Sequence, residues 1–135
     1  MMRPLHWTTA LAALALTGAA HGAPVVCPPL LHGVGVTAAP AGWKALAPAP
    51  ARLAEGGLMR GDPQRHAYLR GDDRKVRNGS TSVSRFEAGE EKWLWCGYGA
   101  TSALQIAKRL PDVATSCTVT RRERGLTVDI SANCR

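Results

Sequence analysis

Residues 116–134 read SCTVTRRERGLTVDISANC. Cys117 and Val119 alternate with Ser116, Thr118 and Thr120, and Leu126, Val128, Ile130 and Cys134 share the parity opposite Thr127, Asp129 and Ser131. Period-two patterning on both sides of RERG predicts an antiparallel hairpin with one face in a core and the other in water. If Arg121 and Leu126 close that hairpin, Val119 faces Val128 and Cys117 faces Ile130. Cys134 then lies about 13 Å farther along its strand, at roughly 3.3 Å per residue. A disulfide needs Cα atoms within about 7 Å. This register disfavours Cys117–Cys134 and prefers Cys96–Cys117, with Cys27–Cys134 stapling the two ends of the chain.

Working upstream, EKWLWCGYG (91–99) places Trp93 and Trp95 on one face and Leu94, Cys96 and Tyr98 on the other. Apolar residues on both parities predict a strand covered on both sides, near the middle of a sheet. The following TSALQIAKRLP (101–111) suits a strand or a short helix; alternating Leu104 and Ile106 after a Gly-containing loop favour the strand. TSVSRFE (81–87) alternates weakly. A strand over 53–60 contains Gly56 and Gly57, a pairing that marks a bulge or a close backbone approach. Residues 61–80 are polar and turn-rich and read as a loop. They hold two copies of Arg-Gly-Asp, at 60–62 and 70–72, which read as turns rather than adhesion signals.

The start of the chain carries Arg3 followed by TALAALALTGAA, an apolar run of secretory length and too short to span a bilayer. Ala20 and Gly22 precede a cleavage point after Gly22, so residues 1–22 read as a signal peptide and 23–135 as one exported β domain. Within it, 23–50 form a Pro/Ala-rich arm with a short strand at 34–37 and Trp43 as its anchor, and 51–135 form an antiparallel core. The fold class expected is mainly β: a small antiparallel sheet, sandwich or partly open barrel. Four cysteines, all past the cleavage point, read as two disulfides in an oxidising compartment, the periplasm or beyond the cell.

The order VVCP, GW, a Gly-rich strand before GDP, WLWCGYGATSALQIAKRLP, SCTV and ISANC resembles a family of small uncharacterised exported, periplasmic proteins of Gram-negative bacteria. The resemblance spans nearly all of the exported chain. It implies localisation and fold, and carries over no activity.

Catalytic and cofactor chemistry find little support. The cysteines are separated by 69, 21 and 17 residues, unlike the close pairs of zinc sites. No Gly-x-Ser-x-Gly elbow occurs, and His32 and His66 are isolated in loop-like stretches. No metal and no cofactor is expected. The acids Asp62, Asp72, Asp73, Glu87, Glu90 and Glu91 offer a carboxylate pair for envelope hydrolysis, the alternative reading, but they alternate with Arg and Lys as on a solvated face.

Charge says more about partners. The chain has 17 basic and 10 acidic residues, and loss of Arg3 with the signal peptide leaves it basic. The densest basic tract, RHAYLRGDDRKVR (65–77), supplies Tyr68, Arg70, Arg74, Lys75 and Arg77, which with Trp43 and Trp93 form the candidate binding surface. Asp72 and Asp73 within it, and export itself, argue against nucleic acid. The function expected is therefore a non-catalytic binding or inhibitor-type module acting on an envelope protein or an anionic envelope component, without spanning the membrane.

Overall fold

The structure is a computed structural model that describes residues 22–33, 38–46 and 49–135. The signal segment up to residue 21 and the strand expected at 34–37 lie outside the described residues. Two antiparallel sheets face each other. One is ordered β1 (Val25–Val26), β9 (Thr127–Cys134), β8 (Ser116–Arg124), β5 (Gly79–Arg85), β4 (Asp72–Val76). The other is ordered β2 (Leu30–Leu31), β3 (Ala51–Arg60), β6 (Lys92–Tyr98), β7 (Leu104–Arg109). Leu53, Leu58, Leu94, Cys96 and Tyr98 of the second sheet meet Cys117, Val119, Ile130 and Ala132 of the first in one core, capped by Phe86 and Leu110. The mainly β expectation holds, as two open sheets rather than a closed barrel.

The C-terminal hairpin forms with a different register. Its strands run through the charged stretch to a two-residue turn at Gly125 and Leu126, with Arg124 opposite Thr127. Charge does not end a strand that runs on past the core: Arg121 pairs with Glu123, and Arg124 with Asp129 at 3.0 Å. Each strand is therefore longer than expected, and Leu126 sits exposed in the turn rather than on the core face. The face assignments of Cys117, Val119, Val128 and Ile130 survive, because the offset between expected and observed pairings is even.

That register corrects the disulfides. Cys117 lies directly opposite Cys134, Cα atoms 4.1 Å apart, and the two are bonded; the second bridge is Cys27–Cys96. The preferred pairing of Cys96 with Cys117 and Cys27 with Cys134 is wrong. The arm explains the second bridge. β1 pairs with β9 in one sheet and β2 with β3 in the other, so the chain crosses the core at Cys27, against the inner face of β6.

β3 shows how register and packing cooperate. Its pairing with β6 slips between Leu53 and Glu55, and this bulge brings Leu53 into phase with Gly56 and Leu58, opposite Tyr98, Cys96 and Leu94. The glycine pair marks the close approach rather than the bulge. A Cβ on Gly56 would stand 2.7 Å from the Trp95 carbonyl oxygen and 3.2 Å from Ile130 Cγ2 of the facing sheet. β6 is central and buried on its inner parity, and 104–109 is a strand, as expected. Lys92 is fully buried on that inner parity. Its Nζ donates to the carbonyls of Pro111 and Asp112 at 3.2 and 3.0 Å and lies 5.2 Å from the Phe86 ring centre.

The expected 61–80 loop is not one. It contains β4 and the start of β5, joined through Arg77 and Asn78. Asp, Arg and Lys are poor strand formers, but β4 is an edge strand, where charge is tolerated and guards against further pairing.

Candidate functional site

The inner faces of β8 and β9 are apolar, but the same face turns polar toward the sheet edge. Ser80, Ser82 and Ser84 of β5 align with Arg121, Val119 and Cys117 of β8, and Lys75 and Asp73 of β4 align with Ser80 and Ser82. Three residues of β5 thus present a hydroxyl ladder where a core would put Val or Ile. The facing sheet offers Gly56 and Gly57 there, which carry no side chain, beside Leu58. The sheets consequently part, and a cleft of about 480 Å³ opens between them. Arg70, Gly71 and Leu69 close one end, and Lys75 and Arg121 line it with the serines.

Gly71 decides how closely the chain enters β4. A Cβ there would lie 2.5 Å from Ser82 Oγ and 2.6 Å from the Val83 carbonyl oxygen. The two Arg-Gly-Asp copies therefore differ. The first turns the chain, with Gly61 at φ 71° and Asp62 capping a short 3-10 turn by accepting from the Gln64 N–H at 2.9 Å. The second is not a turn: it is extended chain wedged against β5 and leading into β4.

The candidate binding residues divide into separate groups. Arg70 and Lys75 meet at the cleft, Arg74 of β4 is in register with Thr81 on the opposite face, and Arg77 stands at the tip of the β4–β5 turn. Tyr68 and Trp93 lie on the outer side of the other sheet. There Tyr68 packs edge-on to Trp95, ring centres 5.0 Å apart, and its hydroxyl donates to Gln105 Oε1 at 2.8 Å. His66 Nδ1 stands 3.0 Å from the same hydroxyl. Trp93 Nε1 donates to Glu91 Oε1 at 2.8 Å, and the Arg109 guanidinium lies 5.9 Å from its ring centre. This aromatic layer is the outer cover that the two-sided β6 requires. Trp43 is a correction: it is 77 % exposed, and among the described residues the arm is held instead by its two short strands and Cys27.

Sequence reading missed Ser80, Ser82, Ser84 and Arg121. The signal was present as serine at every second position of 80–84, a strand pattern with polar residues in the core phase.

All four cysteines are in disulfides, which leaves no thiolate for metal or nucleophilic chemistry. The carboxylates of 62–91 are engaged separately: Asp62 caps its turn, Glu90 pairs with Arg60 and Glu91 accepts from Trp93. None of them is buried. Elsewhere, the hydrogen bond and charge of Arg109 hold the Asp112 carboxyl below its usual range, and burial raises the Tyr98 phenol. No helix among the described residues is long and apolar enough to cross a membrane.

Comparison with known proteins bears directly on this site. Residues 48–135, well over half of the chain, match the family model described as Type VI secretion system Tli immunity protein. The matched segment includes the cleft, β6 and the Cys117–Cys134 hairpin, and begins past Cys27. No curated protein and no solved structure matches. An immunity protein acts by binding a partner, which decides between the binding module and the hydrolase in favour of the former.

Proposed function

This chain belongs to the Type VI secretion system Tli immunity protein family, and from that premise we propose that it is exported to the periplasm, with residues 1–22 as its signal, and there binds and blocks one toxic effector protein. The family match carries the reading. The cleft supports it: Arg70 and Lys75 form no salt bridge among the described residues. Cations left unpaired at an opening in the fold are free to meet carboxylates of a partner, which raises encounter rates and selects against basic proteins. Two disulfides and two sheets make the scaffold rigid, so binding costs little ordering entropy.

The test uses the tagged, oxidised protein as bait in an envelope extract of its own source, washed across a salt series. Retention of one stoichiometric effector through high salt is expected, together with rescue of growth when that effector is directed to the periplasm. Loss of every bound component as salt rises would instead indicate diffuse charge-driven association with anionic polymers, and would overturn the reading.

A further inference from the structure

The cleft has the chemistry of a peptide slot. Its cations outnumber its acids: Arg70 and Lys75 are unpaired among the described residues, Arg121 is held by Glu123, and Asp73 is the acid in the lining. Low-dielectric walls on two sides focus this positive field. The hydroxyl ladder Ser80–Ser82–Ser84 runs about 13 Å, at roughly 3.3 Å per residue, the length of a short extended segment. Each hydroxyl both donates and accepts, as a peptide backbone requires. Leu58 and Val119 supply an apolar strip beside it. Asp73 belongs to the same surface. It would repel a uniform polyanion such as nucleic acid or a lipid headgroup array, and would accept from a backbone N–H.

We propose, resting on the effector-binding reading, that this cleft receives an extended acidic segment of the effector protein. Its carboxylates lie on Arg70 and Lys75, its backbone lies along Ser80 to Ser84, and its apolar side chains face Leu58 and Val119. Alternating acidic and apolar residues match this arrangement, since successive side chains of an extended segment point to opposite sides. Arg supplies the fork that grips a carboxylate with two hydrogen bonds.

The experiment has two arms on the same oxidised protein. In the first, an alternating Glu-Val octapeptide, its Gln-Val counterpart and phosphatidylglycerol vesicles are titrated while backbone amide resonances are followed. The Glu peptide is expected to shift the amides of Gly71, Ser80 and Ser82, with the Gln peptide at least about tenfold weaker. Shifts confined to other surfaces, or a response at these amides to vesicles and not to the Glu peptide, would overturn the proposal. In the second arm, Arg70→Glu with Lys75→Glu is compared with Arg122→Glu for effector affinity. Arg70 and Lys75 are exposed, so the double variant keeps its core. The double variant is expected to bind about 100-fold more weakly, with the control unchanged. Equal capture by wild type and double variant would sink the cleft while leaving the immunity reading intact. Capture of no effector by the wild type, with the Glu peptide still bound at the cleft, would sink the immunity reading and support the peptide slot.

Discussion

Ile130 of β9 packs against the bare backbone of β3 at Gly56, where a Cβ would come within 3.2 Å of its Cγ2 and 2.7 Å of the Trp95 carbonyl oxygen. The two sheets touch here, beside the point where they part into the cleft. The missing side chain lets the core close here and the cleft open next to it.

Gly56→Ala should therefore force the sheets apart or disrupt the β3–β6 ladder. Overpacking of this kind costs about 1–3 kcal/mol. Urea unfolding at constant m-value measures it; an unchanged midpoint would show that the contact is slack.

The two disulfides should differ in weight. Cys27–Cys96 closes a sequence separation of 69 residues and Cys117–Cys134 one of 17. In the chain-entropy account their loss costs roughly 4.4 and 3.1 kcal/mol. Paired Cys→Ala variants compared by denaturant midpoint should rank in that order. Peptide mapping without reduction should recover these two linkages and no Cys96–Cys117 peptide.

Tyr98 links the core to the arm, its hydroxyl donating to the Pro28 carbonyl at 2.8 Å. Burial raises its phenol above the usual 10.0. A raised value means the neutral form is favoured by folding, so this stability is full below pH 10.0 and is lost as pH climbs through the folded value. Tyr98→Phe should cost about 1 kcal/mol at neutral pH and flatten the alkaline decline. Unfolding compared at pH 7 and in strong base tests both; an equal alkaline decline in the variant would refute the assignment.

Arg109 and Asp112 provide the acid counterpart. The guanidinium donates to both carboxylate oxygens, at 3.2 and 2.9 Å, and holds Asp112 below its usual 3.8. A lowered carboxyl value means its stabilising effect is present above pH 3.8 and lost as pH falls through the folded value. A carbon-detected titration of Asp112 should give a midpoint below 3.8, moving upward in Arg109→Gln. A midpoint at or above 3.8 in the wild type would count against the pair.

Strand identity was largely legible in the sequence, because the alternation of Cys117, Val119, Val128 and Ile130 reports burial directly and survives any even shift of register. The same evenness hid the register. Cys117 and Cys134 could not be matched by pattern alone, since the turn could be centred on RERG or moved two residues on, to Gly125 and Leu126, without moving a side chain to the other face. β4 was missed for a related reason: an edge strand needs no apolar residues, so DDRKV looked like loop.

What the sequence by itself determined was the β class, the two-sided burial of 92–98, the pairing of all cysteines into bridges and a basic tract at 65–77. Each of these depends on local periodicity, composition or residue chemistry. Tertiary structure alone decided which cysteines bond, which cations meet, and that Ser80, Ser82 and Ser84 face inward. Those outcomes depend on strand register and on how the two sheets stack, as where Ile130 packs on Gly56, two residues far apart in the chain and adjacent only once it is folded.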